Sequence, residues 1–260
     1  RPYSSQGAVL WMKVPTRFRE VIMEGNVGKR RPGGEISNRP LYYFFVADCS
    51  GSMGVDGKIE SLNHSVKDAI PHMIDVAREN PNAQILIRAL KFSSGAQWHI
   101  NDPVPVEEFE WTDLSAGGVT DMGAAFDALA EQLKIPPMPA RALPPVILLL
   151  SDGMPTDDYA PALRNLLKLP WAQKAVRLAI GIGRDRNLDV LQRFIDNPEI
   201  RPFEVNNPEE MVKYIKWATT VPIKAASSPA SQVTSAGTIS TGNVPLVMPA
   251  DTSTNSTKVW

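Results

Sequence analysis

The chain has 260 residues, 43% of them hydrophobic and 21% charged, with a net charge of -1; this is the profile of a globular protein with one domain plus extensions. No apolar run approaches the roughly 18 residues that a membrane-spanning helix requires, and no signal peptide is recognised, although a first residue of Arg1 in place of Met leaves a removed targeting segment open. The single cysteine, Cys49, excludes an intrachain disulfide and suits a reducing compartment, so the expected location is cytoplasmic.

Residues 1–40 carry eight Lys/Arg against three Glu, a local charge of +5 that leaves the remainder at -6. A basic arm on an acidic body could contact nucleic acid, a phosphoprotein or an acidic surface. With Lys29-Arg30-Arg31 as its only tight cluster and no interleaved aromatics, it reads more simply as a solvated extension, and nucleic acid is not an expected partner. Its apolar patch at 8–14 (AVLWMKV) is a strand or a docking face, and the Gly- and Pro-rich stretch that follows is a loop.

The stretch 41–53 (LYYFFVADCSGSM) begins with a continuous apolar run that stops at Asp48, the pattern of a strand buried on both faces and ending in a tight loop. Apolar residues at Ile59, Leu62, Val66, Ile70, Met73, Ile74 and Ala77 then predict an amphipathic helix over 58–78, with a kink or break at Pro71. A strand at 84–92 and a short edge strand at 97–100 follow, and the acidic, proline-broken segment 101–118 reads as an irregular surface loop. Thr120 or Asp121 is the expected N-cap of a helix carrying Met122, Phe126, Leu129 and Leu133. After a proline-rich connection, PPVILLLS at 144–151 is a second fully apolar strand, and it too stops at an aspartate, Asp152.

Asp157 is expected to cap a helix with Tyr159, Leu163, Leu166 and Leu167; 175–183 is a strand, Asn187 caps a short helix, and 203–205 is a last short strand. Asn207-Pro208-Glu209-Glu210 opens a final helix through Trp217, with proline in the first turn and acids at the positive end of the dipole. Strands alternating with helices imply an α/β, Rossmann-like, doubly wound and mostly parallel sheet with helices on both faces. The division expected is a basic extension at 1–40, the α/β domain at 41–220 and a Ser/Thr-rich tail at 221–260 whose composition favours a linker.

In an open α/β sheet, ligands collect beyond the carboxyl ends of the strands. Asp48, Ser50 and Ser52 fall there after the first strand, Asp152 after the fourth, and Thr120 in a loop beside them. Two carboxylates and three hydroxyls form a hard oxygen site suited to a divalent ion that keeps water, with Mg2+ the best fit and Mn2+ or Ca2+ the alternatives. Taken singly, each group has an ordinary role: a polar turn after a strand, a helix cap, a turn aspartate before Gly153. His64, His72 and His99 have no ligand spacing, and Cys49 has no local cation to activate its thiol.

At these positions the sequence resembles the von Willebrand factor A domain with its metal-ion-dependent adhesion site. The DxSxS motif corresponds to Asp48-Cys49-Ser50-Gly51-Ser52, the second-loop threonine to Thr120 and the third-loop aspartate to Asp152. The wording ADCSGSM, GGVTDMGAAF and LLLSDGMPTDD is most similar to the bacterial tellurite-resistance TerY-like branch. The resemblance implies a strand order of 3-2-1-4-5-6 with one antiparallel edge strand, a metal held by the five side chains directly or through water, and a coordination position filled by a Glu or Asp of a partner protein. It also implies a bacterial stress or defence complex with a PP2C-type phosphatase and a Ser/Thr kinase. Cys49 departs from the commoner threonine, and Val119 separates Gly117-Gly118 from Thr120.

These features favour a metal-dependent adaptor over an enzyme. The alternatives are a metal-dependent hydrolase, against which stands the absence of a P-loop, GxSxG or HExxH motif, and a structural subunit of a larger assembly.

Overall fold

A computed structural model describes residues 38–184, 186–228, 238–241 and 244–249. Residues 1–37 of the basic extension, with its apolar patch and Lys29-Arg30-Arg31, lie outside the described residues, as does most of the tail, while Arg39 and Pro40 belong to the first strand.

The chain organises around strand β1 (Arg39–Asp48), in which every residue from Tyr43 to Asp48 is buried. The unbroken aromatic and aliphatic run gives both faces of this strand something to bury, and it pairs in parallel on both edges: with β2 (Ala83–Ser93) on one side and β4 (Val146–Ser151) on the other. Beyond β4 lie β5 (Val176–Ile182) and the short β6 (Phe203–Val205), while β3 (Gly95–Pro105) runs antiparallel on the far edge of β2. The order of the six strands is 3-2-1-4-5-6. The mostly parallel, Rossmann-like sheet carries α1 (Lys58–Glu79) packed on α6 (Pro208–Ser227), and α2 (Met122–Gln132) packed on α3 (Tyr159–Leu167). Phe126 of α2 stacks on Phe194 of α5 (Leu188–Ile195), and α4 (Pro170–Lys174) is a short turn of helix before β5. No helix among the described residues is long and apolar enough to cross a membrane.

Several elements differ from the sequence expectation. Helix α1 does not break at Pro71: the residue is exposed, so the carbonyl it leaves without a helical donor can face water while the buried stripe from Ile59 to Ala77 holds both halves in line. Strand β3 is longer than the four residues expected, because a turn through Gly95 (φ 81°) folds it back along β2 as far as Pro105. The segment after it is not a loop over the surface, since Phe109, Trp111 and Leu114 are buried in the core.

Helix α6 runs ten residues beyond Trp217 to Ser227 and contains Pro222. Proline cannot donate to the carbonyl four residues earlier, that of Ala218. The buried Tyr43 hydroxyl donates to that oxygen instead, at 3.0 Å. Within the Ser/Thr-rich tail expected at 221–260, whose composition favours a linker, β7 (Thr238–Thr241) and β8 (Val244–Val247) instead form an antiparallel hairpin, and Val244 and Leu246 are buried.

Candidate metal centre

Register places the site. Ala47 of β1 lies opposite Leu150 of β4, so Asp48 comes level with Ser151 and one residue short of Asp152. Asp48 is fully buried: its Oδ1 accepts the Ser50 backbone N–H at 2.8 Å and its Oδ2 accepts the Ser151 hydroxyl at 2.6 Å. Burial pushes this carboxyl above its ordinary value, against the lowering by the Ser151 and Ser50 bonds, and the neighbouring Asp152 charge pushes in the same direction as burial.

The loop after Asp48 turns at once, so the Ser50 and Ser52 hydroxyl oxygens lie 3.0 Å apart. Ser52 then donates to Asp152 Oδ1 at 2.7 Å, which joins the first and third loops. The second loop is stitched to the first through backbone: Gly51 N–H donates to Gly118 at 3.0 Å and Gly117 N–H to Cys49 at 2.7 Å. Thr120 is buried on that loop, and a Cβ added at Gly153 would lie 3.7 Å from both Ser52 Oγ and Thr120 Oγ1. Glycine at 153 therefore keeps open a small cradle between two hydroxyls. All five sequence-predicted residues are thus brought to one end of the sheet.

Residues outside the predicted set hold them there. Thr120 does not cap α2. Its N–H donates to Thr156 Oγ1 at 3.0 Å, and Thr156 N–H donates to the Thr120 carbonyl at 2.9 Å. Asp121 occupies the cap position without making a side-chain cap bond; its Oδ2 instead accepts from Gly95 N–H at 2.8 Å, tying the second loop to the β2–β3 turn. Asp157, expected to cap α3, accepts from Gly123 and Ala124 N–H at the start of α2, each at 3.1 Å. The position before α3 belongs to Asp158.

Lys58 was not among the predicted site residues. Its Nζ lies 2.7 Å from Asp152 Oδ2, with both side chains at most 9% exposed. A signal was present in the sequence: a lysine at the first position of a helix sits at the positive end of the dipole, where a cation is disfavoured unless something else holds it.

The arrangement fits a hard divalent cation. Asp48 and Asp152 supply negative charge, and Ser50, Ser52 and Thr120 supply neutral oxygen beside the cradle at Gly153. No group of three or more His, Cys, Asp and Glu side chains able to hold a metal forms among the described residues, so any ion here depends on the hydroxyls. Cys49 is buried with its thiol pushed up to about 12, first by burial and then by the Asp48 charge, so it remains a neutral packed side chain. On the three loops that carry the site, Val55, Val119 and Met154 are 53%, 46% and 66% exposed, and they account for three of the five exposed large hydrophobic residues among those described.

Known structures of similar fold include a von Willebrand factor type A protein from Catenulispora acidiphila, at 18% identity and a TM-score of 0.55 over 72% of this chain and 43% of that one. A second is the ArnB paralog VWA2 from Sulfolobus acidocaldarius, at 21% identity and a TM-score of 0.51 over 69% of this chain and 45% of that one. A third is proximal thread matrix protein 1 from the mussel byssus with a zinc-occupied MIDAS motif, at 17% identity and a TM-score of 0.51 over 73% and 47%. The chain spans less than half the length of each of these proteins. Comparison with curated protein sequences finds no match. The family model for the von Willebrand factor type A domain matches residues 44–216, which is well over half of the sequence, and the chain belongs to that family.

Proposed function

We propose that this chain is a metal-dependent protein-binding module whose centre, built from Asp48, Ser50, Ser52, Thr120 and Asp152, captures a Glu or Asp of a partner. The observation that carries this reading is the convergence of two carboxylates and three hydroxyls from three loops at the carboxyl end of the sheet, with the exposed apolar side chains Val55, Val119 and Met154 on those same loops. Mg2+ suits the oxygen donors best, with Mn2+ and Ca2+ as alternatives. Bound there, the ion supplies a Lewis-acidic position for a carboxylate oxygen. Asp48 and Asp152 balance the ion's charge without exceeding it, so a carboxylate oxygen can complete its coordination without meeting excess negative charge, and the exposed apolar side chains on the same loops offer the kind of surface that interface cores use.

A non-enzymatic role accords with the state of the two carboxylates. Each oxygen of Asp48 and of Asp152 already has a hydrogen-bond or ion-pair partner, which leaves neither as a free general base. The motif wording ADCSGSM, GGVTDMGAAF and LLLSDGMPTDD supports the finer assignment: a TerY-like adaptor, cytoplasmic, acting in a bacterial stress or defence complex with a PP2C-type phosphatase and a Ser/Thr kinase.

The test is affinity capture from the native host's lysate with the chain immobilised in Mg2+, in EDTA and as Asp48→Ala, alongside phosphatase and nuclease assays. Partners retained only by the wild type in Mg2+ support the module. Capture that ignores both EDTA and Asp48→Ala, or turnover abolished by Asp48→Ala, overturns it.

A further inference from the structure

We propose that Lys58 is a tethered counter-cation of the metal centre: its ammonium occupies Asp152 while the ion is absent and must be displaced when metal enters. The proposal rests on the reading of the site as a metal centre.

The placement of Lys58 is costly on two counts. As the first residue of α1 it lies at the positive end of a 22-residue helix, and its residue is only 7% exposed, so the ammonium has given up both a favourable dipole and most of its water. The partner that compensates is Asp152 Oδ2 at 2.7 Å. The backbone is shaped to allow the contact. Gly57 adopts φ 73° immediately before the helix, and Gly183, at the end of β5, has φ 76°. A Cβ at Gly183 would come within 3.0 Å of Lys58 Cε and 3.1 Å of Nζ. Two glycines on separate elements thus turn the lysine inward and clear its path.

Consequences for the ion follow from charge. With Oδ1 of Asp152 bound to Ser52 and Oδ2 to Lys58, the third-loop carboxylate is fully engaged before any metal arrives. Two buried carboxylates facing each other without a cation would repel; the ammonium neutralises one of them and lets the loops assemble in the absence of metal. The same charge sits beside the place a divalent ion must take. Lys58 therefore trades metal affinity for stability of the metal-free domain.

The experiment is a calorimetric titration of Mn2+ into the full chain as wild type, Lys58→Met, Lys58→Arg and Asp48→Ala, with melting midpoints measured in EDTA and in excess Mn2+. Lys58→Met is expected to bind Mn2+ at least about tenfold more tightly, the scale set by removing a like charge a few ångströms from a divalent ion. Its midpoint in EDTA should fall below that of the wild type and its gain on adding Mn2+ should exceed it, while Lys58→Arg keeps the wild-type affinity more closely than Lys58→Met does. Unchanged or weaker Mn2+ binding by a folded Lys58→Met overturns the proposal. If that variant does not fold, acylation of lysines in the wild type decides: a several-fold rise in Lys58 labelling on adding Mn2+ supports displacement, and no rise overturns it. Mn2+ taken up by neither wild type nor Lys58→Met overturns the metal reading itself, a result distinct from binding that ignores Lys58.

Discussion

Asp157, in the third loop, holds Gly123 in the first turn of α2, the helix that follows the second loop. One carboxylate oxygen accepts from Gly123 N–H and the other from Ala124 N–H. Asp157, five residues after Asp152 in the third loop, is thereby locked onto the helix that follows Thr120 in the second. Asp157→Ala should cost about 1–2 kcal/mol, the range for loss of a cap. Gly123→Ala should also destabilise, because its Cβ would meet Asp157 Oδ2 at 2.7 Å and the Tyr159 backbone at 3.0 Å. Urea unfolding of the metal-free chain checks both, and a double variant that costs no more than the worse single one would show that they act through the same contact.

Tyr43 compensates for Pro222. The Ala218 carbonyl has no helical donor because residue 222 lacks an N–H, and the Tyr43 hydroxyl takes that role from β1. Burial pushes the phenol well above its ordinary range, so it stays a donor at every pH at which the fold survives. Tyr43→Phe leaves a buried carbonyl unpaired and should lower stability by about 1–3 kcal/mol. Combined with Pro222→Ala, which restores the N–H, the same change should cost distinctly less. A double-mutant cycle by chemical denaturation measures the difference.

Asn63 is the bond between α1 and the segment that leads into the second metal loop. Its Oδ1 accepts from Trp111 Nε1 at 3.0 Å and Leu114 N–H at 2.9 Å, and its Nδ2 donates to the Leu114 carbonyl at 2.9 Å. Asn63→Leu should therefore destabilise by more than about 2 kcal/mol, since it strands three buried polar partners, and should quench or shift the Trp111 fluorescence. A wild-type melting midpoint in this variant would mean that the segment is held by its aromatic packing alone.

The contrast between Asp48 and Asn63 shows what the sequence makes legible. Asp48 and Asp152 are visible because each ends an unbroken apolar run, and the position of a strand end is a local property. Sheet order followed from the family resemblance and is observed. Asn63, Asp157 and Lys58 act across 51, 34 and 94 residues of chain, through partners chosen by register and packing. A polar residue within a helical pattern carries no mark of which distant carbonyl it will meet. Segment 101–118 departs from its loop reading for the same reason: Pro and acidic residues signal a loop, yet 101–105 complete β3 and Phe109, Trp111 and Leu114 enter the core, with Phe45 stacked on Phe109 and in edge contact with Trp111. Pro222 was invisible as a tolerated helix residue because its tolerance depends on Tyr43.

Cys49 should be chemically silent. Its thiol is pushed up to about 12, so at pH 8 the thiolate fraction is on the order of one in ten thousand, and the side chain is buried besides. Iodoacetamide at pH 8 should leave the native chain unmodified and label it fully in denaturant. Mass spectrometry reads the outcome, and rapid native labelling would contradict the packed, neutral assignment.

Asp48 sets the pH dependence of the metal-free domain. Its carboxyl is raised from the ordinary 3.8, chiefly by burial, so the folded state holds this proton more tightly than the unfolded state does. The contribution to stability is fully present below 3.8 and is lost as pH rises through the raised value; at neutral pH the ionised, buried Asp48 is a net cost to the metal-free fold. Asp48→Asn removes that cost while the amide can still accept from Ser50 N–H and donate to Ser151 Oγ. The variant should melt a few degrees above the wild type at pH 7 in EDTA, the scale expected for about 1 kcal/mol in a domain of this size. That gap should close as the pH is lowered toward the ordinary carboxyl range. In excess Mn2+ the order reverses, because the wild type gains stability from the ion and Asp48→Asn does not. A variant that melts below the wild type in EDTA at pH 7 would show that the Ser50 and Ser151 bonds outweigh burial, and that the carboxylate is stabilising before metal arrives.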